Sequence, residues 1–219
     1  MSAKKNQNNA DKIGNPWESV SIQDYNQHMR ASSVLQSQTL GYIMRSCLQR
    51  VRPETVLVLG CVDGNGFEYI DDSVTNEVVG LDINCEFLKR CKSRFGNKKY
   101  SLDLICCDFE NGGDLAQTFD FISCALFLEY VDARRVLVKI KSMMNSGSKL
   151  NIVIQRNNGN RFVSDTGLQS LESLADIAKE ISDDDLCRIL GENELIIEDR
   201  EVYALPNGKE FISYCCCIA

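Results

Sequence analysis

The stretch Val56-Leu57-Val58-Leu59-Gly60-Cys61-Val62-Asp63-Gly64-Asn65-Gly66 constrains the fold of this chain more than any other. Four consecutive aliphatic residues, with no polar alternation, read as a strand covered on both faces. The strand runs directly into a turn holding three glycines. Glycine admits left-handed backbone and leaves bare amides against which a ligand can lie. A helix is expected from about Phe67, whose first N–H groups and positive dipole end would suit an anion. A strand buried on both faces also needs neighbours: more strands, and helices to cover them.

The rest of the chain supplies them. Further apolar runs occur at Glu77 to Leu81, Leu102 to Cys107, Phe119 to Cys124 and Leu150 to Ile154. Between them, Cys85 to Arg94 reads as a helix with Phe87, Leu88 and Cys91 as its apolar stripe. Asp132 to Met144 reads as another, opened by an Asp N-cap and stopped near Gly147. Alternation of this kind means parallel β-α-β units with right-handed crossovers, so the fold class is α/β. Upstream, residues 22–50 carry a helical period, with a short helix near Asp24 to Arg30 and a stop at Pro53. Downstream, Asn157 to Thr166 reads as loop, and Leu171 to Ile181 and Asp183 to Leu190 as helices, the second closed by Gly191. Leu195 to Ala204 and Glu210 to Ile218 then flank an Asn207-Gly208 turn, the signature of a hairpin. The expected organisation is a disordered lead-in over 1–20 and one domain over 21–219. Within it lie an N-terminal helical lid (21–52), a helical insert (156–190) and a terminal hairpin (194–218).

Composition excludes several classes. Of 219 residues, 24 are Lys or Arg and 31 are Asp or Glu, a net charge of −7 that argues against a nucleic-acid-binding surface. No run approaches the roughly 20 apolar residues of a membrane helix, and the polar start has no apolar signal region. The eleven cysteines lack C-x-x-C spacing and sit largely in apolar runs, so they are expected to be reduced thiols of a cytoplasmic protein, with no metal site. His28 is the only histidine.

The second strand ends in Gly80-Leu81-Asp82, which sets a carboxylate 18 positions past Gly64. That is near the spacing at which an acid meets the ribose in dinucleotide folds. Strand, glycine turn, helix, strand and acid in this order point to a nucleoside-type cofactor. The glycine spacing also fits short-chain NAD(P)-dependent oxidoreductases. Those enzymes need a Tyr-x-x-x-Lys pair, and no tyrosine here has a lysine four residues on; Tyr130 is followed by Arg134.

From about residue 20 to the end, the chain resembles class I S-adenosylmethionine-dependent methyltransferases. The likeness rests on Leu59 to Gly66, Gly80-Leu81-Asp82-Ile83-Asn84, Cys107-Asp108-Phe109-Glu110, Phe119-Asp120-Phe121-Ile122 and the terminal hairpin. It is nearest to a branch whose turn reads L-G-C-A-T-G-N-G and whose first helix carries Tyr-x-x-His-Met, here Tyr25 to Met29. The resemblance implies a Rossmann-like open twisted sheet of order 3-2-1-4-5-7-6, strand 7 antiparallel, with helices on both faces. It implies S-adenosylmethionine as cofactor, leaving S-adenosylhomocysteine as product. Gly60 and Gly64 would lie against the methionine part, with Cys61 and Gly66 also in the cofactor site; Asp82 would hold the ribose, and Ile83 would pack on the adenine. Asp108 would accept from the adenine amino group, Phe109 would cover the ring, and Ala125 would touch the cofactor through its backbone. Where many members carry an acid two residues before the first glycine, this chain has Val58, and Val62 replaces the middle glycine.

Four residues are candidates on the acceptor side. Tyr25 and His28 lie three apart on one helical face, and Glu129 and Tyr130 follow the fourth strand. His28 is the first choice for a base and Glu129 the second. The basic run Lys89, Arg90, Lys92, Arg94, Lys98 and Lys99 is read as a solvated helix face. The expected function is methyl transfer to a small-molecule acceptor by a monomer or homodimer. The alternatives are a non-catalytic cofactor-binding module of the same fold and, behind it, the oxidoreductase.

Overall fold

A computed structural model describes residues 14–219. The expected lead-in lies, for residues 1–13, outside the described residues. Its remainder is ordered, contrary to expectation: Pro16–Ser19 forms a 3-10 turn capped by Asn15, and Val20 is buried. Two helices follow, α1 (Ile22–Arg30) and α2 (Gln36–Val51). α1 starts at Ser21 and buries Tyr25, His28 and Met29, one stripe at i, i+3 and i+4.

Seven strands form one sheet: β1 (Thr55–Leu59), β2 (Glu77–Asp82), β3 (Ser101–Cys106), β4 (Phe121–Ala125), β5 (Lys149–Arg156), β6 (Leu195–Ala204) and β7 (Glu210–Ile218). Their order is β3-β2-β1-β4-β5-β7-β6, parallel except for β7, which runs antiparallel to β5 and β6. Sheet order and strand directions match the expectation.

The period of two along β1 shows why both faces need cover. Leu57 and Leu59 point to one side and pack with α4 (Ala133–Ser142) and α6 (Asp183–Glu192) through Val136, Leu137, Ile140, Leu186 and Leu190. Val56 and Val58 point to the other and pack with Ile43, Met44 and Cys47 of α2 and Leu88 and Cys91 of α3 (Cys85–Phe95). A third cluster joins α1 to the insert through Val20, Tyr25, Met29, Val62, Phe87, Leu171 and Leu174. β1 has β2 on one side and β4 on the other, so the chain reverses its direction of winding there and the strand ends open into a crevice. Among the described residues, no helix is long and apolar enough to cross a membrane.

Several expectations are corrected. No full helix follows Gly66; Phe67–Tyr69 is a single 3-10 turn. Phe67 is drawn wholly into the core, and Asp71 accepts from the amide and hydroxyl of Ser73, which turns the chain early toward β2. The helix-dipole argument for this turn therefore does not apply. Residues 171–181 are not one helix either. They hold the end of a 3-10 turn (Gln169–Leu171) and the one-turn α5 (Leu174–Ile177). The Lys179 amide donates to the Glu129 carbonyl, 2.7 Å, which ties this backbone to the loop after β4 instead of to its own helix. The cysteines are not all free: Cys85 and Cys106 form a disulfide between the start of α3 and the end of β3. Their separation of 21 residues carries no short-range motif. Gly191 does not close α6, which continues to Glu192.

Two glycines test this packing in opposite directions. Gly64 has φ +94°, and a Cβ there would lie 2.4 Å from Phe95 Cε2. Gly64→Ala is expected to lower stability by about 2 kcal/mol or more. A Cβ at Gly191 would meet nothing within 4 Å. Gly191→Ala is expected to add about 0.5–1 kcal/mol, a rise in melting temperature of about 1–4 °C. Thermal melts of the two variants check both signs.

Candidate functional site

A cavity of about 190 Å³ opens at the C-terminal ends of β1, β2 and β4, under α1. Its floor is the glycine turn. Gly60, Gly64 and Gly66 have φ of +64°, +94° and +84°, and Val62, in the middle, is itself left-handed at +52°. That conformation is costly for a β-branched residue and persists only where the surroundings enforce it. The enforcing group is Asp82. Its Oδ2 accepts from the Val62 amide at 2.8 Å, and its Oδ1 accepts from the Asn84 amide at 2.9 Å. Burial pushes the Asp82 carboxyl up to about 6, against the pull of these amide donors.

Asp63 fixes the turn from below. Its side chain is only 2% exposed and meets two cations of α3: Arg90 Nε at 3.1 Å and Arg94 at 2.8 Å. Arg94 also donates to the Asp63 carbonyl. The basic run is thus not wholly a solvated face, since two of its members hold the glycine turn. Asn84 does two jobs. Its side-chain oxygen caps α3, while its Nδ2 donates to the Trp17 and Val20 carbonyls at 3.0 and 3.2 Å. Asn65 Nδ2 donates to the Tyr25 hydroxyl, 2.9 Å, and so pins α1 over the turn. Burial raises the Tyr25 phenol far above its ordinary range, which fits it for anchoring rather than proton abstraction.

The other half of the cavity is aromatic with a few buried polar groups. Trp17 meets Tyr130 edge-on at 5.0 Å between centroids, Tyr130 meets Phe162 at 6.0 Å, and Trp17 meets Tyr25 at 6.2 Å. Glu129 is fully buried in the turn after β4. Its Oε1 accepts from the Gln155 amide, 2.9 Å, and its Oε2 has no hydrogen-bond partner among the described residues. Desolvation pushes this carboxyl up to about 7. The Gln155 side chain is engaged elsewhere: it accepts from Gln36 and donates to Asn157 and to the Phe162 carbonyl. His28 Nδ1 lies 2.8 Å from Thr166 Oγ1, and burial, helped by nearby Lys209, lowers its pKa and keeps the ring neutral. Burial raises the Tyr130 hydroxyl.

Of the residues singled out in the sequence, Tyr25, His28, Gly60, Gly64, Gly66, Asp82, Ile83, Asp108, Phe109, Ala125, Glu129 and Tyr130 all line this one cavity. Cys61 does not. Its side chain is fully buried beneath the turn, and its Sγ would lie 2.9 Å from a Cβ on Gly80. Asp108 is exposed and accepts from the Glu110 amide and Asn111 Nδ2. Phe109 is 3% exposed and belongs to the core as well as to the wall. Sequence reasoning missed Trp17, Asp63, Asn65 and Gln155. For Asp63 a signal existed: an acid inside the glycine turn, with two arginines four apart on the next predicted helix.

Residues 57–152 match a family described as a methyltransferase domain. None of the curated proteins compared matches the chain in sequence. Among solved structures, an N-methyltransferase, NodS, from Bradyrhizobium japonicum WM9 in complex with S-adenosyl-L-homocysteine is 14% identical. The match has a TM-score of 0.71 and covers 94% of this chain and 99% of that one. An S-adenosylmethionine-dependent methyltransferase from Clostridium acetobutylicum ATCC 824 is 15% identical, TM-score 0.67, covering 89% and 96%. Magnesium protoporphyrin IX methyltransferase from Synechocystis PCC 6803, with bound S-adenosylhomocysteine, is 14% identical, TM-score 0.65, covering 93% and 91%. At these identities the likeness is one of fold. Residues 57–152 thus carry the match to a methyltransferase domain, and the 3-2-1-4-5-7-6 sheet built around that segment has the fold of S-adenosylmethionine-dependent methyltransferases.

Proposed function

We propose that this protein transfers a methyl group from S-adenosylmethionine to a small-molecule acceptor. The observation that carries the reading is the Asp82 carboxylate, held against the left-handed turn at the mouth of an open cavity. Its two oxygens keep lone pairs beyond those given to Val62 and Asn84, enough to accept from a pair of ribose hydroxyls. The amides and bare glycines of residues 60–66 offer a bed for the amino-acid end of the ligand. Ile83 and Phe109 offer apolar surface, and Asp108 an acceptor, for the base. Two structures of the same fold were solved with the demethylated product, which supports the same use of the crevice here.

When bound, the cofactor supplies a methyl group already activated on a sulfonium. The residues of this chain need only place a nucleophile in line with it and keep water out, and positioning of this kind can supply about 7–11 kcal/mol. α1, pinned by the Tyr25–Asn65 bond, and the Trp17–Tyr130–Phe162 wall shape the space available to the acceptor. Glu129, its carboxyl pushed up to about 7 by burial, is suited to receive a proton near neutral pH, while His28, kept neutral by burial, offers a polar ring to the same cavity.

Calorimetric titration with S-adenosylmethionine tests the cofactor reading. Binding with a saturable heat is expected for the native protein. Asp82→Asn keeps an acceptor for the Val62 amide but removes the charge, and is expected to weaken binding about tenfold or more. Unchanged affinity in this variant would remove Asp82 from the site. The pH dependence has a sign of its own. Ligand binding uses the ionised carboxylate, so affinity should rise as pH increases through about 6. The stability of the ligand-free protein should move the other way in this term. The folded state keeps the Asp82 proton up to about pH 6, whereas the unfolded chain releases it near 3.8. Its contribution is complete below the lower value and fades through the upper one. Parallel titrations and melts between about pH 5 and about pH 7 separate the two trends.

A further inference from the structure

We propose that the acceptor is an amine and that Glu129 Oε2 is the group that binds its nitrogen and receives its proton. The inference rests on the methyltransferase reading above and names the substrate class for that site. Four observations carry it.

First, Glu129 is completely buried, one oxygen is fixed by the Gln155 amide, and the other has no partner among the described residues. A buried carboxylate oxygen left unpaired is costly, and a site that keeps one is shaped for a donor that arrives with a ligand. Second, among the described residues no cation pairs with it. Of the two guanidinium groups lining the cavity, Arg94 is committed to Asp63, and Arg30 is exposed at the far end of α1. The buried ammonium of Lys209 donates to the Phe162 carbonyl at 2.6 Å. Third, Trp17, Tyr130 and Phe162 stand together in the same cavity, and ring faces attract a cationic nitrogen. Fourth, the neighbouring Gln155 side chain gives both its N–H donors to Asn157 and Phe162 and already accepts from Gln36, so neither donor is left for Glu129 Oε2.

Acidic acceptors fit badly, because a carboxylate or phosphate would face an unpaired carboxylate in a low-dielectric pocket. An alcohol satisfies the hydrogen bond but gains nothing from the aromatic wall as a cation. An amine uses both. It enters as an ammonium and gives one proton to Glu129, which leaves a neutral nitrogen with a free lone pair. That lone pair forms the N–C bond to the methyl carbon as the methyl–sulfur bond breaks, its electrons staying on sulfur as a neutral thioether. The positive charge passes from sulfur to nitrogen, and the methylated ammonium leaves with the carboxyl proton released to solvent. Charge and atoms balance without any further reactant.

The test uses three probes on one skeleton: phenethylamine, phenethyl alcohol and hydrocinnamate. Their binding to the full chain is measured by calorimetry and ligand-observed NMR, with and without saturating S-adenosylhomocysteine. The amine is expected to bind at least about tenfold more tightly than either partner. Glu129→Gln preserves shape and an acceptor for the Gln155 amide. It is expected to cut amine affinity about tenfold or more while leaving alcohol affinity and S-adenosylhomocysteine affinity within about twofold. The native preference is read without any variant, so a misfolded Glu129→Gln protein does not remove the test. Equal or tighter binding of the alcohol or acid overturns the proposal, as does an amine affinity unmoved by Glu129→Gln in a folded protein, or no binding of any probe at millimolar concentration. Failure of S-adenosylhomocysteine to bind would instead strike at the methyltransferase reading. An amine preference lost on Glu129→Gln, with the nucleoside bound normally, supports both.

Discussion

The hydrogen bond from the Val62 amide to Asp82 Oδ2 holds the centre of this molecule together. It joins the turn after β1 to the end of β2, and it sustains a valine in left-handed backbone, where most side chains are disfavoured. Because the carboxylate is nearly buried, its two amide partners offset much of the cost of removing it from water. The same charge is then aimed at the crevice. One group therefore serves as a structural clamp on the turn and also lines the crevice. The Asp63 pairs with Arg90 and Arg94 repeat the arrangement one residue further on, but beneath the turn and away from the cavity.

The sheet order explains why the remaining groups converge there. β1 is flanked by β2 and β4, so the segments leaving β2 and β4 diverge and expose the turn between them. Segments distant in sequence then close the space: the start of the chain through Trp17 and Tyr25, the loop after β4 through Glu129 and Tyr130, and the insert through Phe162 and Leu171. Polar cross-links, rather than apolar packing alone, set their positions. Asn65 holds α1, Asn84 holds residues 17 and 20, and the Lys179 amide holds the insert to the Glu129 carbonyl.

The strands were legible in the sequence because their burial leaves unbroken aliphatic runs, as in Val56 to Leu59, and the hairpin because Asn207-Gly208 has a local turn chemistry. The glycine turn and Asp82 were legible because both sit at strand ends, where spacing along the chain maps onto distance. What escaped depends on contacts between distant segments. Phe67 has helical company in sequence, yet the core takes its ring and the chain turns after three residues. Leu171 to Ile181 has a helical pattern, but its backbone is bonded to the loop after β4. Cys61 looked like part of the binding turn, although a left-handed glycine before it directs its side chain downward into the core. Cys85 and Cys106 pair only because the start of α3 lies beside the end of β3. Gln155, at the end of an apolar strand, gave no sign that its amide nitrogen would hold Glu129.

The ordered segment before α1 bears on how the protein can be trimmed. Its indole ring is one wall of the chamber, and its carbonyls occupy both hydrogens of the Asn84 amide. A fragment begun at residue 21, the boundary suggested by the polar character of what precedes it, would retain every strand and still be a different receptor. Solvent would enter beside Tyr130, and the loop carrying Ile83 would lose its brace. Shortened versions prepared for crystallisation or assay should begin ahead of Asn15.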